Sequence, residues 1–142
     1  MKNLITLISL FVTCIFTNAQ TVEETLEWLD AKKVHISDYY SSSNNVGQYL
    51  GNVLEFSMDG ISIRNDDKGV WTKFNWFDIT DVTTDDEYDR GISVINKKKN
   101  DKGHNYVISI HVENSENRKK FIKAIKTMAT LKGAKLVKED LF

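Results

Sequence analysis

Three histidines, His35, His104 and His111, are the side chains best suited to acid–base or metal chemistry, because imidazole changes charge near neutrality and ligates zinc. No two share the i, i+4 spacing of a helical ligand pair, and no His-Glu-x-x-His pattern accompanies them. His111 alternates with apolar residues and is expected to point outward from a strand, and His104 to lie in a turn. They read as solvated or hydrogen-bonded side chains, not as a zinc site. Asp85, Glu87 and Asp89 stand at alternating positions, as the first three ligands of a calcium-binding EF-hand loop do. The glycine such a loop needs falls at Arg90 and its closing glutamate at Asn96, so a solvated turn is expected.

Nucleophilic and phosphate chemistry fare no better. The chain holds no Gly-x-Ser-x-Gly and no Gly-x-Gly-x-x-Gly or Walker-type loop. The pairs Asp66 and Asp67, and Asp85 and Asp86, are adjacent in expected turns, where water keeps carboxylates ordinary. The expectation is a protein without catalysis, cofactor or metal. Two surfaces remain for binding. Tyr39, Tyr40 and Tyr49 flank a serine-rich loop and are the candidate partner surface. Lys97, Lys98 and Lys99 read as a hairpin tip, suited to solubility or to weak contact with an anionic membrane.

The elements that must carry these residues follow from periodicity. Thr21-Val22-Glu23-Glu24 has the form of a capping box, and Val22, Leu26 and Leu29 share one face of a helix over Val22–Lys32, with Trp28 expected to cover a sheet edge. Strands are expected over 34–40 and 48–58, with Gly51 as a bulge, followed by a tight Asp59-Gly60 hairpin using positive φ. The stretch 70–82 is the organising element. Val70, Thr72, Phe74 and Trp76 fall on one face, and Trp71, Lys73, Asn75 and Phe77 on the other, as in a central strand that turns at Asp78 and re-enters the core through Ile79 and Val82. An acidic loop at 84–91, a strand from Ile92, a basic turn at 97–103 and a strand carrying Tyr106, Ile108, Ile110 and Val112 come next. A Ser115-capped helix with Phe121, Ile122, Ile125, Met128 and Ala129 on one stripe closes the domain, stopping at Gly133. The tail 134–142 is left open between packing back and hanging loose.

At the N-terminus, Lys2 precedes an apolar run from Leu4 to Phe16, and Thr17-Asn18-Ala19 offers a processing site. This is the layout of a secretory signal peptide, and the run is too short to span a bilayer. Residues 1–19 are therefore expected to be removed, leaving a single domain over 20–142 that is periplasmic or secreted. Cys14, the one cysteine, lies in that leader; as a lipidation site it has poor neighbours in Phe11-Val12-Thr13. Without Lys2 the balance is eighteen basic residues to twenty acidic, which supplies no electrostatic case for nucleic acid.

Phe56-Ser57-Met58-Asp59-Gly60-Ile61, Trp76-Phe77-Asp78-Ile79-Thr80-Asp81-Val82 and Phe121-Ile122-Lys123-Ala124-Ile125 resemble the strand, corner and capping helix of bacterial pleckstrin-homology (PH-like) and GRAM-like domains. The resemblance covers residues 34–131. It implies an α+β fold, in which a strongly bent antiparallel sheet of about seven strands forms a PH-like barrel, with an N-terminal helix added and a C-terminal helix as its cap. The composition and the Thr-Asn-Ala-Gln site are similar to small exported proteins of Bacteroidota. Phosphoinositide-binding members of the superfold carry a basic motif in their first hairpin, and residues 40–54 hold no Lys or Arg. The functional expectation is a non-catalytic binding module for a protein or peptide, taken on an open sheet edge or at the tyrosines. The alternative is an apolar-ligand or lipid carrier with a cavity between sheet and C-terminal helix.

Overall fold

The computed structural model describes residues 20–42, 49–50, 53–65, 69–85 and 90–137. The leader with Cys14, the serine-rich loop at 43–48, Gly51, the Asp66–Asp67 pair, and Asp86, Glu87 and Asp89 of the acidic loop lie outside them. Helix α1 (Val22–Lys32) begins with the expected capping box. The Thr21 hydroxyl accepts from Glu24 N–H at 3.1 Å, and the Glu24 carboxylate accepts from Thr21 N–H at 3.0 Å. A 3-10 turn (Lys33–His35) then leads to β1 (Ile36–Ser42), two residues later than expected; Val34 is 83% exposed on that turn.

The stretch read as one second strand is two. β2 (Tyr49–Leu50) pairs with β1, whereas β3 (Val53–Phe56) pairs with β4 (Gly60–Asn65) in another sheet. β5 (Gly69–Asn75), a 3-10 turn (Trp76–Asp78), β6 (Ile79–Asp85), β7 (Gly91–Lys99) and β8 (Asn105–Val112) follow, and helix α2 (Ser115–Leu131) closes the order. Five strands lie in the order β2-β1-β8-β7-β6 and three in the order β3-β4-β5, all antiparallel among the listed pairs. The α+β class and the helix cap are as expected. The single sheet of about seven strands is instead two sheets of five and three, and it does not close into a barrel.

The organising stretch crosses between these sheets. Its β5 half is an outer strand of the smaller sheet, not a central one, and its β6 half is an outer strand of the larger. The alternation holds: Phe74 and Trp76 are buried while Lys73, Asn75 and Phe77 are exposed, and the chain turns at Asp78. The Trp76 indole N–H donates to Ser57 O at 2.7 Å, and Trp76 N–H to Asp59 O at 3.1 Å, pinning this corner to the β3–β4 turn. In that turn Gly60 does not take the positive φ expected of it. It is there because its backbone lies against β5: a Cβ would meet Phe74 O at 1.9 Å.

Helix α2 is capped by Asn114, whose side chain accepts from Asn117 N–H at 2.9 Å; Ser115 is the first helical residue instead of the cap. Phe121, Ala124, Ile125, Met128 and Ala129 are buried. Trp28 meets the Phe121 ring edge-on at 5.1 Å, so it ties α1 to α2 and does not cover a sheet edge. The helix ends in a Schellman motif. Gly133, at φ +91, donates to Thr130 O, and Ala134 N–H reaches Ala129 O. Among the described residues no helix is long and apolar enough to cross a membrane.

Candidate functional site

The tail resolves toward packing. After Gly133 the chain doubles back, Ala134 and Leu136 lie half-buried against the core, and Val137 N–H donates to Thr80 O at 2.9 Å. Thr80 belongs to β6, whose outer side pairs with no strand among the described residues. An outer strand offers a row of backbone donors and acceptors, with every second residue facing the same side. The tail has therefore taken the first outward acceptor. Two residues on, Val82 N–H donates to the carboxylate of its neighbour Asp81 at 2.8 Å.

Between this edge and α2 runs an open trough lined by Asp81, Val82, Thr83, Thr84, Ile122, Lys126 and Val137. It abuts a second shallow surface formed by Lys119, Ile122, Lys123, Lys126, Thr127, Thr130, Leu131 and Leu136. Ile122 is half-buried and belongs to both, because it sits at the margin of the apolar stripe that faces the core. The chemistry on offer is strand-type hydrogen bonding on one wall, and apolar contact with ammonium groups on the other.

The space under α2 is occupied. Trp76, Phe121, Ile125 and Met128 are fully buried there, with Phe74 nearly so. The cavity that the carrier alternative needs is filled by these side chains among the described residues.

The tyrosines do not share one surface. Tyr39 packs half-buried against the core beside Lys33, Ile36, Val53 and Leu54. Tyr40, the next residue along β1, faces the other side of the sheet, where its ring meets His111 edge-on at 5.7 Å. Tyr49 pairs with Ser41 through the backbone, and its side chain lies outside the described residues.

The lysine tip is also rearranged. Lys97, Lys98 and Lys99 are the last residues of β7, and the turn itself is built by Asn100 to His104, with Asn100 N–H donating to His104 O and Gly103 at φ +82. Lys97 Nζ lies 2.7 Å from the Asp78 carboxylate and 3.9 Å from the Phe77 ring centre. The hydrogen bond from Lys97 holds the Asp78 carboxyl below its ordinary value, against the opposing pull of burial. Among the described residues no three metal-ligating side chains converge.

The trough was not singled out from sequence. Its lysines read as the solvated face of an amphipathic helix, and Thr80 and Asp81 as part of a corner. The available signal was Ile122, an apolar residue off the centre of its stripe and flanked by Lys119, Lys123 and Lys126.

No family model matches the chain, and no curated protein matches it. Among solved structures it is similar to one titled the crystal structure of the FERM and C-terminal domain complex of Drosophila Merlin, at 17% identity and a TM-score of 0.40. The match covers 75% of this chain and 34% of that one, so this chain spans about a third of its length. A likeness at that TM-score carries no argument about partner or activity.

Proposed function

We propose that the chain is an exported, non-catalytic binding module that takes an extended protein segment along the outer side of β6, against α2. The observation that carries this is the Val137 N–H to Thr80 O bond: backbone from outside the sheet already sits on that strand. An extended peptide gains main-chain bonds from such an edge and selectivity from the wall beside it. The edge is preferred over the tyrosines because Tyr39 is engaged with the core and Tyr40 lies on the other side of β1. The filled space beneath α2 favours a surface partner over a small apolar ligand.

Peptides selected from a random library are expected to shift the backbone NMR signals of residues 80–84 and 122–126. Thr84→Pro, which removes one outward N–H on a strand where proline is tolerated, is expected to abolish those shifts. Selected peptides that map elsewhere would sink the edge as the binding site. Export is tested by N-terminal sequencing of the protein from its own cells: a start at Gln20 supports it, and a start at Met1 ends it.

A further inference from the structure

We infer that the trough prefers an acidic extended segment; this rests on the β6 edge being the binding site. Lys119, Lys123 and Lys126 line it from α2, spaced four and three residues apart on one face. Lys119 and Lys123 make no ion pair among the described residues, whereas Lys120, on another face, is already paired with Glu116 at 3.0 Å. The one carboxylate facing them across the trough is Asp81, whose Oδ1 is engaged by Val82 N–H.

The repeat lengths agree. Four residues of helix rise about 6 Å, and two residues of strand rise about 6.6 Å. A segment laid along β6 turns every second side chain toward the helix, so acidic residues at alternate positions come level with successive lysines. The intervening side chains face away, and Ile122 supplies apolar contact between the charges. Asp81 sets the threshold for entry. A segment that extends the pairing past Thr80 needs the Val82 N–H, and its carbonyl must displace the Asp81 carboxylate to obtain it.

The test is an NMR titration of the isotope-labelled full chain with two blocked hexapeptides. One alternates leucine or valine with glutamate, and the other replaces each glutamate with lysine. The acidic peptide is expected to shift residues 80–84 and 122–126 and to bind about tenfold more tightly, as three exposed ion pairs allow. That advantage should shrink at about 0.5 M salt. Lys123→Glu, on an exposed helix face, should erase the preference with an unchanged melting temperature, and Asp81→Ala should tighten binding of the acidic peptide several-fold. Equal affinity of both peptides at the trough overturns the acidic preference while leaving the edge as a binding site. Shifts confined to α2, with residues 80–84 silent, mean diffuse charge attraction and overturn it too. Silence from both peptides overturns the inference and counts against the edge itself.

Discussion

Lys97 and Asp78 form a contact that joins two strands through a turn: the ammonium of β7 sits 2.7 Å from a carboxylate that is almost wholly buried at the end of the 3-10 turn before β6. The same ammonium lies over Phe77, which is 56% exposed. The turn that swings the chain from the smaller sheet to the larger is thus clamped from outside by one side chain. Lys97→Met keeps much of the stem and removes the charge. It is expected to lower stability by about 1–2 kcal/mol, the range for a charge-assisted hydrogen bond with one exposed partner. Urea unfolding of the two proteins measures the difference; equal midpoints would show that the clamp is idle.

The pH dependence of that clamp has a definite sign. The Asp78 carboxyl is held below its ordinary value of 3.8, mainly by the Lys97 hydrogen bond. Its contribution is fully present above that value and is lost as the pH falls through the lower, folded-state one. Stability measured from about pH 5 down to about pH 2 should therefore fall more steeply in the natural protein than in Lys97→Met.

Gly60→Ala is expected to be severe, costing about 3 kcal/mol or more, because the new methyl meets the Phe74 carbonyl, a backbone atom that cannot swing aside. Gly133→Ala should cost about 1–2 kcal/mol, the usual penalty for a side chain in the left-handed region, since open space surrounds that position. Thermal melts of the pair separate crowding from backbone strain.

Trp28→Ala removes the edge-on contact with Phe121 that joins the two helices. A loss of about 2–3 kcal/mol is expected for a large, partly buried aromatic, with Trp28→Phe recovering most of it. A full-sized loss in Trp28→Phe as well would assign the effect to the indole, not to ring packing.

Tyr40→Ala should leave peptide binding at β6 untouched, since Tyr40 rests against His111 across β8 instead of facing the trough. Titration of this variant with the acidic hexapeptide checks it; weakened binding would return the tyrosines to the partner surface.

Periodicity reported the local conformations well. The alternation around Phe74 and Trp76, the capping box at Thr21 and Glu24, and the stop at Gly133 each depend on neighbours within a turn or a strand, and a one-dimensional pattern records those. It could not report sheet membership. Residues 49–50 and 53–56 alternate as one strand would, yet they belong to different sheets, because membership depends on partners far along the chain. Asp59-Gly60 was read as a turn for its dihedral freedom, when the constraint on Gly60 is the approach of β5. The trough stayed hidden for the same reason. Asp81, Ile122 and Val137 are each unremarkable in their own segments and acquire meaning only where α2, the tail and β6 meet.

The first strand and the last are neighbours: Ile36 of β1 aligns with Val112 of β8. Between β2 and β7, the larger sheet has no continuity until β8 is inserted. A chain emerging from the ribosome therefore cannot complete this sheet until nearly the whole domain has been made, and contacts of such long sequence separation form slowly. Truncation anywhere before β8 leaves β1 and β7 without a shared partner. The molecule has no stable N-terminal half; it folds late and as a unit, and until then its chain stays available to whatever machinery handles it unfolded.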